Sequence, residues 1–311
     1  MKRFLCALIM PAAMLMFLAG CSEDFDSDRH EYQTFQTQQT QSAEETEEVQ
    51  ATPETLKTDD NANQKRIIVL DAGHGKSSSA MTDSEKEAEG YVYSEVTESW
   101  GEWRHYKNHT FGEDCYASGC TFTAPPNGSC WYSIGNGDRD KEPEINLENV
   151  LAAKDYLEEM GYVVRLTRSS NNENPSMNKR VSYCFPNNNI MQSPDASLYV
   201  CVHSNAGGGS GTSYIALEDE YMQDYIPDDY VTLSNRAGKI INAKVAMETG
   251  LRENSPIGNE GYLILFNKCP VPIAYLEIGF YDNASDLSII NSSHDAIGQA
   301  IALGIDEYFN N

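Results

Sequence analysis

The chain has 311 residues, enough for one sizeable α/β domain or two small ones. Its formal net charge is −25, with 47 acidic against 22 basic side chains. Such a surface repels phosphate backbones, so nucleic acid is excluded as an expected partner, while the charge says little about fold.

Residues 1–20 read as a targeting segment. Lys2 and Arg3 form a positive start, and "FLCALIMPAAMLMFLAG" is apolar but interrupted by Pro11. A spanning helix needs about 20 apolar residues. The ending "LAGC", Leu18 to Cys21, resembles a bacterial lipoprotein signal. That resemblance implies cleavage before Cys21, lipidation of Cys21, and an exported protein held to a bacterial membrane by its lipid and facing the cell wall. Residues 21–64 read as a disordered polar linker, rich in Gln, Thr, Glu, Asp and Ser, that cannot bury enough apolar surface to offset its ordering entropy. A flexible coil of that length reaches on the order of 35–40 Å.

From Lys65 to the end the pattern is that of a single α/β domain, residues 65–311. "RIIVLDAG" is a continuous apolar run, as in a strand buried on both faces. Residues 76–141 form a long insertion holding Trp100, Trp103 and Trp131. "EINLENVLAAKDYLEEMGY" is a helix stopped by Gly161, and "YVVRLTR" a second strand. "DASLYVCVHSN" and "GTSYIAL" are the next strands, followed by a helix ending at Gly250. "GYLILF" and "PIAYLEIGF" read as strands and "HDAIGQAIALGIDEYF" as a closing helix. The alternation predicts a twisted, mostly parallel sheet flanked by helices. Six cysteines remain beyond Cys6 and Cys21, namely Cys115, Cys120, Cys130, Cys184, Cys201 and Cys269. Outside the cell they can be disulfides, and the cluster at 115–130 suggests a local staple.

In such sheets ligands bind beyond the carboxyl ends of the strands. His74 follows the first strand, His203 ends the third, and Glu277 lies late in the last. With a carboxylate from "KEPEINL", two histidines make a three-ligand zinc set that leaves a fourth position for water. A second carboxylate is then needed to move the proton, and Glu277 is in the right kind of place.

These residues resemble a zinc-dependent N-acetylmuramoyl-L-alanine amidase of amidase family 3, from Arg66 to Phe309 without the insertion. "IVLDAGHGK" is similar to the family's first-ligand motif, with His74 the ligand. "KEPEINL" is similar to the glutamate segment, and the resemblance selects Glu142 over Glu144. "GYVVRLTR", "NKRVSYC" with "SPDASLYVCVHSNA", and "VPIAYLEIGFYDNASD" match the remaining motifs, implying ligation by His203 and catalysis by Glu277. The implied cofactor is Zn2+ and the implied substrate is peptidoglycan, cut between N-acetylmuramic acid and L-alanine. A monomer is expected.

The insertion departs from the family. Its aromatics, Trp100, Trp103 and Trp131, are candidate substrate contacts together with Asn205. It could equally be a disulfide-stapled flap, or a plug over the zinc with "EVTESWGEWRHYKNH" as its helix. His105 and His109 have ligand-like spacing on such a helix, although a solvated face is the default. Alternative readings are a catalytically silent or autoinhibited peptidoglycan-binding lipoprotein of the same fold, and a zinc peptidase acting on stem peptides.

Overall fold

The computed structural model describes residues 65–95, 98–103, 131–134, 141–217, 229–259 and 263–310. The signal segment, Cys21, the linker, the cluster Cys115, Cys120 and Cys130, and the pair His105 and His109 lie outside the described residues.

A six-stranded sheet forms the centre, in the order β5-β1-β6-β9-β7-β8. Its strands are β1 (Ile67–Ala72), β5 (Val163–Leu166), β6 (Leu198–Asn205), β7 (Ser213–Leu217), β8 (Ile257–Asn259) and β9 (Ile273–Phe280). β5, β1, β6 and β9 are mutually parallel; β7 runs antiparallel to β9 and carries β8 parallel to itself. The mostly parallel α/β architecture read from the sequence is therefore the one observed.

The apolar runs of the central strands are continuous because both sheet faces are covered. Side chains alternate between two cores. Ile68, Leu70, Leu198, Val200, Ala274 and Leu276 face one core, shared with helices α2 (Glu142–Glu159), α4 (Tyr230–Thr249) and α7 (His294–Asn310). Val69, Tyr199, Cys201, Ile273 and Tyr275 face the other, covered by the short helices α3 (Met177–Ser182) and α5 (Ile264–Lys268). Helix α6 (Ala284–Ile290) lies between β9 and α7. Gly161 and Gly250 follow α2 and α4 with φ of 93° and 72°, the left-handed conformation in which glycine ends a helix at no side-chain cost. No helix among the described residues is long and apolar enough to cross a membrane.

The described part of the insertion is helix α1 (Asp83–Ala88) and a second sheet in the order β2-β3-β4, formed by Val92–Ser94, Ser99–Trp103 and Trp131–Ser133. Both of its strand pairs are antiparallel.

Three expectations are corrected. Ser99–Trp103 is a strand, so the stretch around "SWGEW" is not the proposed helix. Within "GYLILF", residues 264–266 open α5 instead of continuing a strand. Leu265 and Phe266 are buried against the second core, and α5 packs its side chains there. The disulfide expectation also fails for three cysteines. Cys184, Cys201 and Cys269 are free, buried thiols, each taken up in the core instead of a cross-link.

Candidate functional site

The site lies at the carboxyl ends of three adjacent strands, β1, β6 and β9. Beyond β1 the chain turns, and His74 takes φ = 57°, a left-handed conformation that costs a non-glycine residue on the order of 1–3 kcal/mol. Two buried arginines hold this turn. Arg168 donates Nε to the Ala72 carbonyl at 2.9 Å and Nη2 to the Gly73 carbonyl at 3.0 Å. Its Nη2 also reaches the Pro143 carbonyl at 2.6 Å, which ties the turn to the start of α2. Arg180 of α3 donates to the carbonyls of Ala72 at 3.0 Å and His74 at 2.7 Å.

Arg180 is balanced by Asp71, whose carboxylate also accepts from Thr167 Oγ1 and Cys201 Sγ. Asp71 and Arg180 are 1% and 2% exposed, so the charges meet away from water. Burial works against ionisation of Asp71; the Arg180 charge and the three hydrogen bonds outweigh it and hold the carboxyl below its ordinary range.

Glu142 opens α2 and is fully buried, whereas Glu144 points to solvent. Its Oε1 lies 3.1 Å from His203 Nδ1 and accepts from Ser204 N at 3.3 Å and from Asn146 Nδ2 at 3.4 Å. Its Oε2 lies 3.3 Å from His74 Nε2 and accepts no hydrogen bond among the described residues. Burial disfavours the charged form, but His74 and then His203 reverse that and keep the Glu142 carboxyl well below the usual carboxylate range. One atom each from His74, Glu142 and His203 lies within 4.8 Å of the others. Two imidazoles and a carboxylate so arranged fit a divalent metal with one position left open.

His203 is set by three neighbours. Its ring stacks on Tyr275 at 4.7 Å between centroids and meets His74 edge-on at the same spacing. Gly73 leaves room on the remaining side, since a Cβ there would sit 2.3 Å from His203 Nε2. Gly73→Ala is therefore expected to displace the His203 ring and lower bound metal per chain well below the wild-type value, as read by elemental analysis. Wild-type metal content in a folded Gly73→Ala would show that the close approach is not needed.

Glu277 is paired in register with His203 across β6 and β9, so both side chains leave the sheet on the same face. It is 2% exposed. Its neighbours across the other edge are Ser213 and, through the Glu277 carbonyl, the Thr212 hydroxyl at 3.3 Å.

The four predicted residues of the centre thus occupy adjoining positions. Asn205 ends β6 half-buried, its Oδ1 accepting from Ala206 N at 2.7 Å. Trp100 lies on β3 of the insertion, 5.6 Å from Tyr93 between ring centroids, with the Lys86 ammonium 5.6 Å above its ring. Trp103 and Trp131 are cross-strand partners in β3 and β4, and their side chains lie outside the description. The roles of Asp71, Arg168, Arg180, Asn146 and Tyr275 were not anticipated. A usable signal was present for two of them, because an arginine closing the edge strand "VVRLTR" and one in the helix "NKRVS" sit beside apolar residues, and both arginines are 2% exposed.

A family model described as N-acetylmuramoyl-L-alanine amidase matches residues 68–307, well over half of the chain. The comparison with curated proteins found no match. Among solved structures, Cwp6 from Clostridium difficile is similar at 18% identity and a TM-score of 0.47, with 79% of this chain and 29% of that one covered. The catalytic domain of CwlV, an N-acetylmuramoyl-L-alanine amidase from Bacillus (Paenibacillus) polymyxa var. colistinus, is similar at 18% identity and a TM-score of 0.46, covering 79% and 98%. The apo form of the amidase Ami1 from Mycobacterium abscessus is similar at 21% identity and a TM-score of 0.49, covering 78% and 98%.

Proposed function

The chain belongs to the N-acetylmuramoyl-L-alanine amidase family, and from that premise we propose that it is a zinc enzyme. The bond it cuts joins the lactyl group of N-acetylmuramic acid to the L-alanine of the peptidoglycan stem. The observation that carries the reading is the set of buried Glu142 and His203 with half-buried His74, whose three donor atoms lie within 4.8 Å of one another. Those residues would hold the zinc, and Glu142 Oε2, which accepts no hydrogen bond among the described residues and lies 3.3 Å from His74 Nε2, fits that role.

What zinc supplies at such a site is Lewis acidity, which brings deprotonation of water into the neutral range. Arg168 and Arg180 keep the His74 turn in place, and Tyr275 keeps the His203 ring in place, so the ligands meet the ion pre-arranged. Glu277 takes a proton from the attacking water and delivers it to the alanine nitrogen as the carbon–nitrogen bond breaks. Its position beside His203, on the same sheet face, supports that assignment. Trp100, Trp103, Trp131 and Asn205 are proposed to contact sugar or stem peptide.

The reading extends to location. A lipid on Cys21 and a polar linker over residues 21–64 would hold the domain off the membrane and beside the wall. The experiment is mass spectrometry of purified wall digested by the chain. Free L-alanine amino termini on intact glycan strands are the expected products. Shortened stems would indicate a peptidase, and an unchanged wall would indicate a binding protein; either result overturns the amidase reading.

A further inference from the structure

Glu102 is the one acidic residue of β3, yet it is 2% exposed. Its Oε1 accepts from Met177 N and its Oε2 from Asn178 N, each at 2.8 Å, at the start of α3. Lys268 at the end of α5 is also buried; its Nζ lies 3.1 Å from Glu102 Oε2 and 2.8 Å from Asn178 Oδ1. A strand of the insertion is thereby bolted to two helices of the core. Buried ion pairs return little net stability compared with apolar side chains of the same volume, so stability alone does not explain this one. What the cluster does fix is the placement of α3. From α3, Arg180 donates to the carbonyls of Ala72 and His74, the second at 2.7 Å, and His74 sits in its left-handed conformation on the other end of that bond.

We propose that Glu102 is a positioning residue for the metal centre. It sets α3 so that Arg180 can hold the His74 turn, and the insertion thereby becomes part of what determines metal affinity. This rests on the reading of His74, Glu142 and His203 as metal ligands.

The test uses cobalt(II) on the full chain, with its visible absorption and a competing chelator giving the dissociation constant. His74→Ala supplies the baseline, and cobalt binding that His74→Ala does not weaken overturns the ligand reading itself, and this proposal with it. Given that baseline, Glu102→Gln is expected to weaken binding by about tenfold or more and to alter the cobalt band, the scale on which residues supporting a ligand act. Ile305→Ala opens a cavity in α7, on the opposite face of the sheet from α3. It is expected to lower Tm at least as much while leaving the dissociation constant unchanged. Wild-type affinity in Glu102→Gln, or equal losses in the two variants, overturns the proposal. Asn178→Ala loosens the same cluster without stranding a charge and is expected to weaken cobalt binding by a smaller factor. If Glu102→Gln does not fold, wild-type affinity in Asn178→Ala overturns the proposal instead.

Discussion

Replacing Glu277 by alanine is expected to lower wall hydrolysis by roughly 10²–10⁴-fold, the usual contribution of a positioned general acid–base group, while zinc stays bound. The two effects separate because Glu277 lies outside the proposed ligand set of His74, Glu142 and His203. Its own strand, β9, is anchored by apolar neighbours on both faces, Leu276 and Ile278 to one core and Tyr275 to the other. Truncating one side chain there leaves the Tyr275 ring under His203. Muropeptide release and zinc content should be measured on the same preparation. Turnover close to wild type would remove Glu277 from the chemistry. Turnover and zinc lost together would make it a ligand or a prop for one.

Arg180→Met is expected to cost about 3–5 kcal/mol of folding stability, because it strands the Asp71 carboxylate in the core. Urea denaturation reads this directly. Combining it with Asp71→Leu should recover part of the loss, since no charge is then left buried alone. Recovery should stay incomplete, because the carbonyls of Ala72 and His74 still lack the donors that Arg180 gave them. A loss of under about 1 kcal/mol, the size typical of surface pairs, would contradict the buried-pair account. The same pair sets a pH dependence. The Asp71 carboxyl is lowered from its ordinary value of 3.8. Its contribution is complete above that unfolded value and is lost as the pH falls through the folded one. Wild-type stability should therefore fall with acid below the ordinary carboxylate range, and the double variant should lose less there.

The strands and helices that build the site were readable because each buries apolar residues at its own period. β1, β6 and β9 are covered on both faces and read as unbroken apolar runs, and α2, α4 and α7 carry one apolar face each. "GYLILF" misled because a short apolar run has no period to separate strand from helix. "SWGEW" misled because Glu102 points inward to Lys268, which hides the alternation that marks a strand. His74, His203 and Glu277 were legible as polar residues at strand ends, and Glu142 as a carboxylate ahead of a proline at a helix start. Asp71 and Arg180 were not, because they are 109 positions apart and only the folded sheet brings them together.

In polymer terms, the insertion joining His74 to Glu142 is a loop closed at both ends by the centre it interrupts. Closing such a loop costs only about 0.6 kcal/mol more for each doubling of its length. With Glu102 bolted to α3, and with Ala88 and Glu89 tied to Lys179 and Ser176, that loop is divided into shorter ones, each closed on the core. The length and content of the span beyond the bolt can then drift with little thermodynamic penalty, leaving the insertion open to change wherever it does not hold α3.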